Sequence, residues 1–221
     1  MRLNKFLALA TGMGRRPADH AVAAGRVQIN GQAATLGQEA HESDRITLDG
    51  QPVSAGGQPA TTIMLNKPEG YVVSRNGQGG KTVYDLLPPE YQQLKPVGRL
   101  DKDSSGLLLL TNDGQLAHEL THPSRQKEKI YVVRLDKPLQ PLHHQMINDY
   151  GVMLDDGPSK FQLERPEEGN DKAWRITMHE GRNRQIRRTF AALGYRVIKL
   201  HRIQFGAYPL QSLSSGTYRK V

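Results

Sequence analysis

The sequence predicts an α+β protein: a small N-terminal helix–helix–hairpin unit, then a mixed domain built on a largely antiparallel sheet. Three observations carry this. Two helix-period segments run directly into the turn pairs Asn30-Gly31 and Asp49-Gly50. Beyond residue 60, alternating or continuously apolar runs of strand length mix with short helical ones. Between the regions lies SAGGQPA, residues 54–60, with the small-residue composition of a linker.

In chain order, Leu3, Phe6, Leu7 and Ala10 recur at helical spacing, which predicts a helix over 2–11 closed by Gly12 or Gly14. A second helix is expected over 16–24, with Pro17 in its first turn and Gly25 at its end. Arg26–Ile29 then leads into Asn30-Gly31, and Asp49-Gly50 separates Ile46–Leu48 from Gln51–Val53, so residues 1–53 read as one unit. Strands are expected at 61–66, at the apolar run 106–111, at 129–135 and at 174–178. Asn112, Asp113 and Gly114 open a helix over 114–121. Another spans 184–193, with Ile186, Phe190 and Leu193 on one face, Arg184, Arg187 and Arg188 on the other, and Gly194 as its cap. The domains are therefore expected at 1–55 and 61–221, with 56–60 linking them.

The chain has 221 residues, no cysteine, and 30 Lys+Arg against 22 Asp+Glu, a net +8. The missing cysteines exclude disulfide scaffolds, thiolate metal centres and thiol nucleophiles, and fit a reducing compartment. No apolar run approaches the roughly 18–20 residues of a membrane span, and the short apolar stretch at the N-terminus lacks the form of a signal peptide. A cytoplasmic, monomeric protein is expected. The positive charge is clustered, with a net +4 in residues 1–30 and a net +6 in residues 180–202. Two such clusters point to a polyanion such as RNA.

Four groups of residues can carry chemistry. Arg2, Lys5, Arg15, Arg16 and Arg26 sit on the two helices and the hairpin, where they can follow a phosphate backbone. Gly98-Arg99-Leu100-Asp101-Lys102-Asp103 places an Arg and an Asp two apart in a loop before the apolar strand. A carboxylate there can act as nucleophile or general base, or simply pair with Arg99. Gly181-Arg182-Asn183-Arg184-Gln185-Ile186-Arg187-Arg188 is a basic helix start, and Lys129-Ile130-Tyr131 offers an aromatic ring that packs in a core or stacks on a base.

The first group resembles the S-four-type RNA-binding module: Arg-Leu-x-Lys, then Arg-Arg, then Gly-Arg-Val-x-Ile-Asn-Gly, with Gly14 where that family often has Ser. Taken together, LNKPEG (65–70), GRLD (98–101), Lys129-x-Tyr131 and GRNRQIR (181–187) resemble the pseudouridine synthases over residues 61–221, in the Rsu-type group that modifies ribosomal RNA and carries an S-four-type module.

This resemblance implies isomerisation of one uridine in ribosomal RNA, or in a pre-ribosomal particle, with the large subunit favoured and with no cofactor or metal. It implies Asp101 as the catalytic carboxylate, attacking the sugar or taking a ribose proton. Arg187 becomes its ion-pair partner and Tyr131 the ring that stacks on the flipped uracil. Ile186 forms the apolar floor, Arg99 helps fill the space the base leaves, and Lys67 supports the active-site loop. Lys129, Arg182, Arg184 and Arg188 are expected on RNA, and Asp103 in a structural role.

Two other readings are weaker on chemical grounds. His118-Glu119-Leu120-Thr121-His122 is literally H-E-x-x-H, a zinc-protease signature. Pro123 follows it, and a residue before proline is pushed out of helical geometry just where the second ligand would stand. A non-catalytic ribosome assembly factor would need only the basic face. It would have no reason to keep a carboxylate among cations, where it repels phosphate.

Overall fold

The computed structural model describes residues 1–54, 59–77 and 79–221, with only the backbone of Pro123. The expected linker falls largely on 55–58, outside the described residues. The chain folds as two compact units, Met1–Ala60 and Thr61–Val221.

In the first unit, α1 (Leu3–Thr11) and α2 (Arg15–Ala23) precede four short strands: β1 (Val27–Ile29), β2 (Gln32–Ala33), β3 (Ile46–Leu48) and β4 (Gln51–Val53). The strands pair in the order β2-β1-β3-β4. Asn30 and Gly31 both have positive φ (52° and 82°), as do Asp49 and Gly50 (52° and 78°). That is the type I′ geometry whose twist suits a two-residue hairpin, and it explains why Asn-Gly and Asp-Gly stand there. Leu3, Phe6 and Leu7 of α1 and Ala18, Ala21 and Val22 of α2 are buried together with Val27, Ile29 and Ile46. Arg2, Lys5, Arg15, Arg16 and Arg26 are left exposed.

The second unit contains β5 (Thr62–Lys67), β6 (Lys95–Pro96), β7 (Ser105–Thr111), α3 (Gly114–Thr121), β8 (Lys129–Leu135), α4 (Pro141–Gln145), β9 (Val152–Leu154), β10 (Gly157–Ser159), β11 (Gln162–Glu164), β12 (Ala173–Met178), α5 (Gln185–Ala192), β13 (Val197–Phe205), β14 (Tyr208–Pro209) and β15 (Tyr218–Lys220). Among the described residues the main sheet runs β11-β12-β8-β13-β7-β5-β15, with β14 on β13 and β6 on β7. Every strand pairing in it is antiparallel except β13 with β7. The fold class is therefore the one the sequence predicts. β9 and β10 form a separate hairpin.

β5 and β7 are buried along their whole length because both faces of the sheet are covered, which is why they read as unbroken apolar runs. Leu108 and Leu110 enter one core, with Ile63, Leu65, Val133, Ile176 and Phe190. Leu107 and Leu109 enter another, with Met64, Leu120 and Phe205. Where β7 meets β13, a Cβ on Gly106 would lie 2.2 Å from the Arg202 carbonyl oxygen, so only glycine lets the two backbones approach.

Candidate active site

The loop between β6 and β7 carries Asp101, and its backbone is fastened at four consecutive residues. The Asp101 carbonyl accepts from the Ser104 amide at 3.1 Å, and that of Lys102 from the Gly70 amide at 2.7 Å. The Asp103 carbonyl accepts from Arg187 Nη2 at 2.6 Å. The Ser104 carbonyl accepts from Lys67 Nζ at 2.7 Å. Asp101 is thus presented by a preorganised loop, with its carboxylate partly exposed.

Lys67 supplies one of these fastenings from inside the protein. It is fully buried, and its Nζ also donates to the Pro68 carbonyl at 3.0 Å. Burial pushes its pKa down to about 8, against the pull of Glu69, Asp101 and Asp103.

The ion pairs differ from the pairing implied by the resemblance. Arg187 does not grip the Asp101 carboxylate. Its Nη1 donates to the Val197 carbonyl at 3.0 Å, and its Nε lies 3.3 Å from Asp103 Oδ2. The cation beside Asp101 is Arg184, with Nη1 3.5 Å from Asp101 Oδ2. Arg184 also holds Asp103 through both carboxylate oxygens, at 3.0 and 2.9 Å. That pair lowers the Asp103 carboxyl below its usual range and raises Arg184. The physical reason is the helix start. Arg184 caps α5 in the left-handed region (φ 47°) instead of joining the helix, and this turns its side chain toward the loop. Arg187, one turn into α5, reaches the loop backbone.

Asp101 opens on a cavity of about 1130 Å³. Tyr131, Ile186, Met178, Leu200 and Phe205 give it apolar walls, while Arg99, Lys129, Arg182 and Arg184 lie along it. Of the charged side chains lining it, seven are Lys or Arg and two are carboxylates, Asp101 and Glu180. A cavity so lined favours a polyanion that also presents a flat apolar ring. Tyr131 (8% exposed) and Ile186 (5%) belong to the core and the cavity wall at once. Lys67, Arg187 and Arg188 do not line it.

Besides Arg184, two more of the arginines expected on RNA are already engaged. Arg182 Nη1 and Arg188 Nη2 reach the Asp156 carboxylate at 2.8 and 2.7 Å, and Arg182 also donates to the carbonyls of Asp156, Gly157 and Pro158. In the first unit, Arg26 donates to Asp49 at 2.8 Å. Arg202, unmarked in the sequence as a site residue, is 2% exposed and lines the cavity. The hairpin that carries Asp156 turns at Asp155-Asp156, with Gly157 already paired in β10, so it lacks the Asn-Gly or Asp-Gly turn of the other two. The sequence placed Arg202 only in the basic cluster 180–202, with nothing to mark it as buried at a site.

The H-E-x-x-H residues do not share one helix. α3 ends at Thr121, His122 is extended (ψ 128°), and its Nδ1 lies 2.7 Å from Ser124 Oγ. Among the described residues no group of three His, Asp or Glu side chains could hold a metal ion, and no helix is long and apolar enough to cross a membrane.

Against known proteins, the RNA pseudouridylate synthase family profile matches residues 61–192. The chain is 37% identical over its whole length to the ribosomal small subunit pseudouridine synthase A of Pasteurella multocida, covering 96% of that protein. It is 39% identical, over 93% of its length, to the ribosomal large subunit pseudouridine synthase B of Xylella fastidiosa, but spans only 45% of that relative's length. A solved structure described as a pseudouridylate synthase superposes with a TM-score of 0.72 at 34% identity, covering 100% of this chain and 96% of the other. The chain belongs to the RNA pseudouridylate synthase family.

Proposed function

We propose that the chain isomerises a specific uridine of ribosomal RNA to pseudouridine in the cytoplasm, with Asp101 as the catalytic carboxylate and a large-subunit uridine as the expected target. The observation that carries this reading is the Asp101 carboxylate. It is held by a loop fastened at four consecutive carbonyls, with a guanidinium 3.5 Å away, at a cavity walled by Tyr131 and Ile186.

The reaction breaks the bond from ribose C1′ to uracil N1 and remakes it to C5. It needs neither oxidant nor hydrolysis, so a positioned carboxylate suffices. Asp101 either adds to C1′ or removes the C2′ proton. Arg184 stands beside its carboxylate and orients it, and Arg187 and Lys67 hold the loop beneath it. The target base must leave its stack at a cost of a few kcal/mol. Tyr131 offers the flipped uracil a ring, Ile186 an apolar floor, and Arg99, exposed at the cavity, a side chain to fill the vacated space. Lys129, Arg182, Arg184 and Arg188 lie where RNA would approach. Residues 1–55 act as an S-four-type module that docks RNA through Arg2, Lys5, Arg15, Arg16 and Arg26, and residues 61–221 catalyse.

Asp101→Asn keeps the shape of the side chain and removes its charge. Its turnover should fall below detection, with RNA affinity within about twofold of wild type, since the phosphate contacts that dominate affinity remain. Normal turnover by the variant would refute the assignment of Asp101.

A further inference from the structure

One cation at the cavity wall has no role in the mechanism above. Arg202 of β13 pairs directly with Tyr131 of β8, so both side chains leave the same face of the sheet, and both line the cavity. Its Nε donates to the Leu107 carbonyl at 2.8 Å, while its Nη2 is buried with no hydrogen-bond partner. The guanidinium lies 4.9 Å from the Phe205 ring centroid. No ion pair among the described residues includes it. Its neighbour over the same ring is Lys129, a second positive charge. Burial and the charge of Arg202 both lower the Lys129 pKa. A desolvated guanidinium without a counter-ion is costly, and a contact with one aromatic face recovers only part of that. A buried N–H without an acceptor also demands a reason. A ligand bringing negative charge and a carbonyl oxygen to this wall would supply it.

We infer that Arg202 is a further catalytic residue, which stabilises the uracil anion while the base is detached. This rests on the pseudouridine synthase reading above. When the bond from N1 to C1′ breaks, the electron pair leaves with N1. The base becomes a monoanion whose charge spreads onto its carbonyl oxygens. The sugar remains as an ester of Asp101, or as a glycal whose C2′ proton sits on Asp101 until it is returned. The base turns, C5 supplies the pair that forms the new bond to C1′, the C5 proton is lost and N1 gains one. Nothing is oxidised or reduced. Negative charge that develops only as the bond breaks is what a fixed cation beside Tyr131 favours over the neutral ground state.

Two small rings test this on the intact chain: uracil, neutral at neutral pH, and barbiturate, its monoanionic analogue. Wild type should bind barbiturate about tenfold or more tightly than uracil, as one charged hydrogen bond allows. Arg202→Met should lose that preference while still binding uracil, which also shows that its pocket is formed. Arg202→Lys should keep most of it. Turnover of Arg202→Met on ribosomal RNA should fall by about a hundredfold or more, the effect of losing one charge-stabilising donor, with KM little changed. An undiminished barbiturate preference or wild-type turnover in Arg202→Met overturns the inference and leaves the reading standing. Should Arg202→Met fail to fold, wild type decides, because equal binding of the two rings overturns the inference. Absence of pseudouridine formation by wild type on any ribosomal RNA overturns both.

Discussion

Replacing Lys67 by Met removes the charge buried beneath the Asp101 loop and leaves a stem of similar shape. The ammonium is fully buried, and its pKa falls from the ordinary 10.5 to about 8. Between those values the unfolded chain holds a proton at this site that the folded chain does not, so stability rises with pH across the window. Below about pH 8 both states are protonated and the full cost of burying the charge is present. The difference is worth about 3 kcal/mol. At neutral pH the Met variant escapes that cost but deprives the Ser104 and Pro68 carbonyls of their donor, at about 1–3 kcal/mol each. The losses, about 2–6 kcal/mol together, against the relief of about 3 leave a net cost of at most about 3 kcal/mol, so Lys67→Met should fold. Urea unfolding of both proteins from pH 7 to 10.5 reads the difference directly. Stability of wild type relative to Lys67→Met should be level up to about pH 8 and then rise by about 3 kcal/mol. Turnover of the variant should drop because the Ser104 anchor is gone. A stability difference independent of pH would mean that Lys67 is not a buried, destabilised cation.

Three further outcomes are expected. Gly106→Ala places a Cβ 2.2 Å from the Arg202 carbonyl at a φ of +104°, and should cost at least about 2–4 kcal/mol in urea unfolding; a loss below about 1 kcal/mol would show that β7 and β13 can part. Asp156→Asn leaves Arg182 on the hairpin carbonyls but removes the carboxylate that neutralises it and Arg188, so RNA affinity should rise and its salt dependence steepen by up to about two counterions, whereas weaker binding would mean the Asp156 carboxylate itself positions those arginines. Arg15→Gln with Arg16→Gln should weaken RNA binding and flatten the same salt dependence by up to about two; an unchanged slope would remove these residues from the RNA contact.

Local signals in the sequence carried most of the fold. Asn30-Gly31 and Asp49-Gly50 marked hairpins because the required positive φ is a property of those residues. The helix over Gly114–Thr121 was legible from the Asp113 cap, whose side chain accepts from the amides of Gln115 and Leu116. The apolar runs of β5 and β7 were legible because strands covered on both faces need no alternation. β13 was not, since its Lys199, His201 and Arg202 interrupt any apolar pattern, and β15 is held to β5 by pairing far apart in sequence. At the site, motif order named Asp101 and the basic helix start. It missed which cation meets which carboxylate, because that depends on Arg184 adopting a left-handed cap. It missed Arg202, because a buried guanidinium becomes anomalous only when its missing partner is seen.

Pseudouridine mapping at single-nucleotide resolution decides whether Asp101 performs the isomerisation. Unmodified small- and large-subunit ribosomal RNA, free and in precursor particles, would be incubated with wild type or Asp101→Ala. One new pseudouridine should form with wild type and be absent with Asp101→Ala. No new pseudouridine on any of these RNAs, or one that forms without Asp101, would contradict the proposed function.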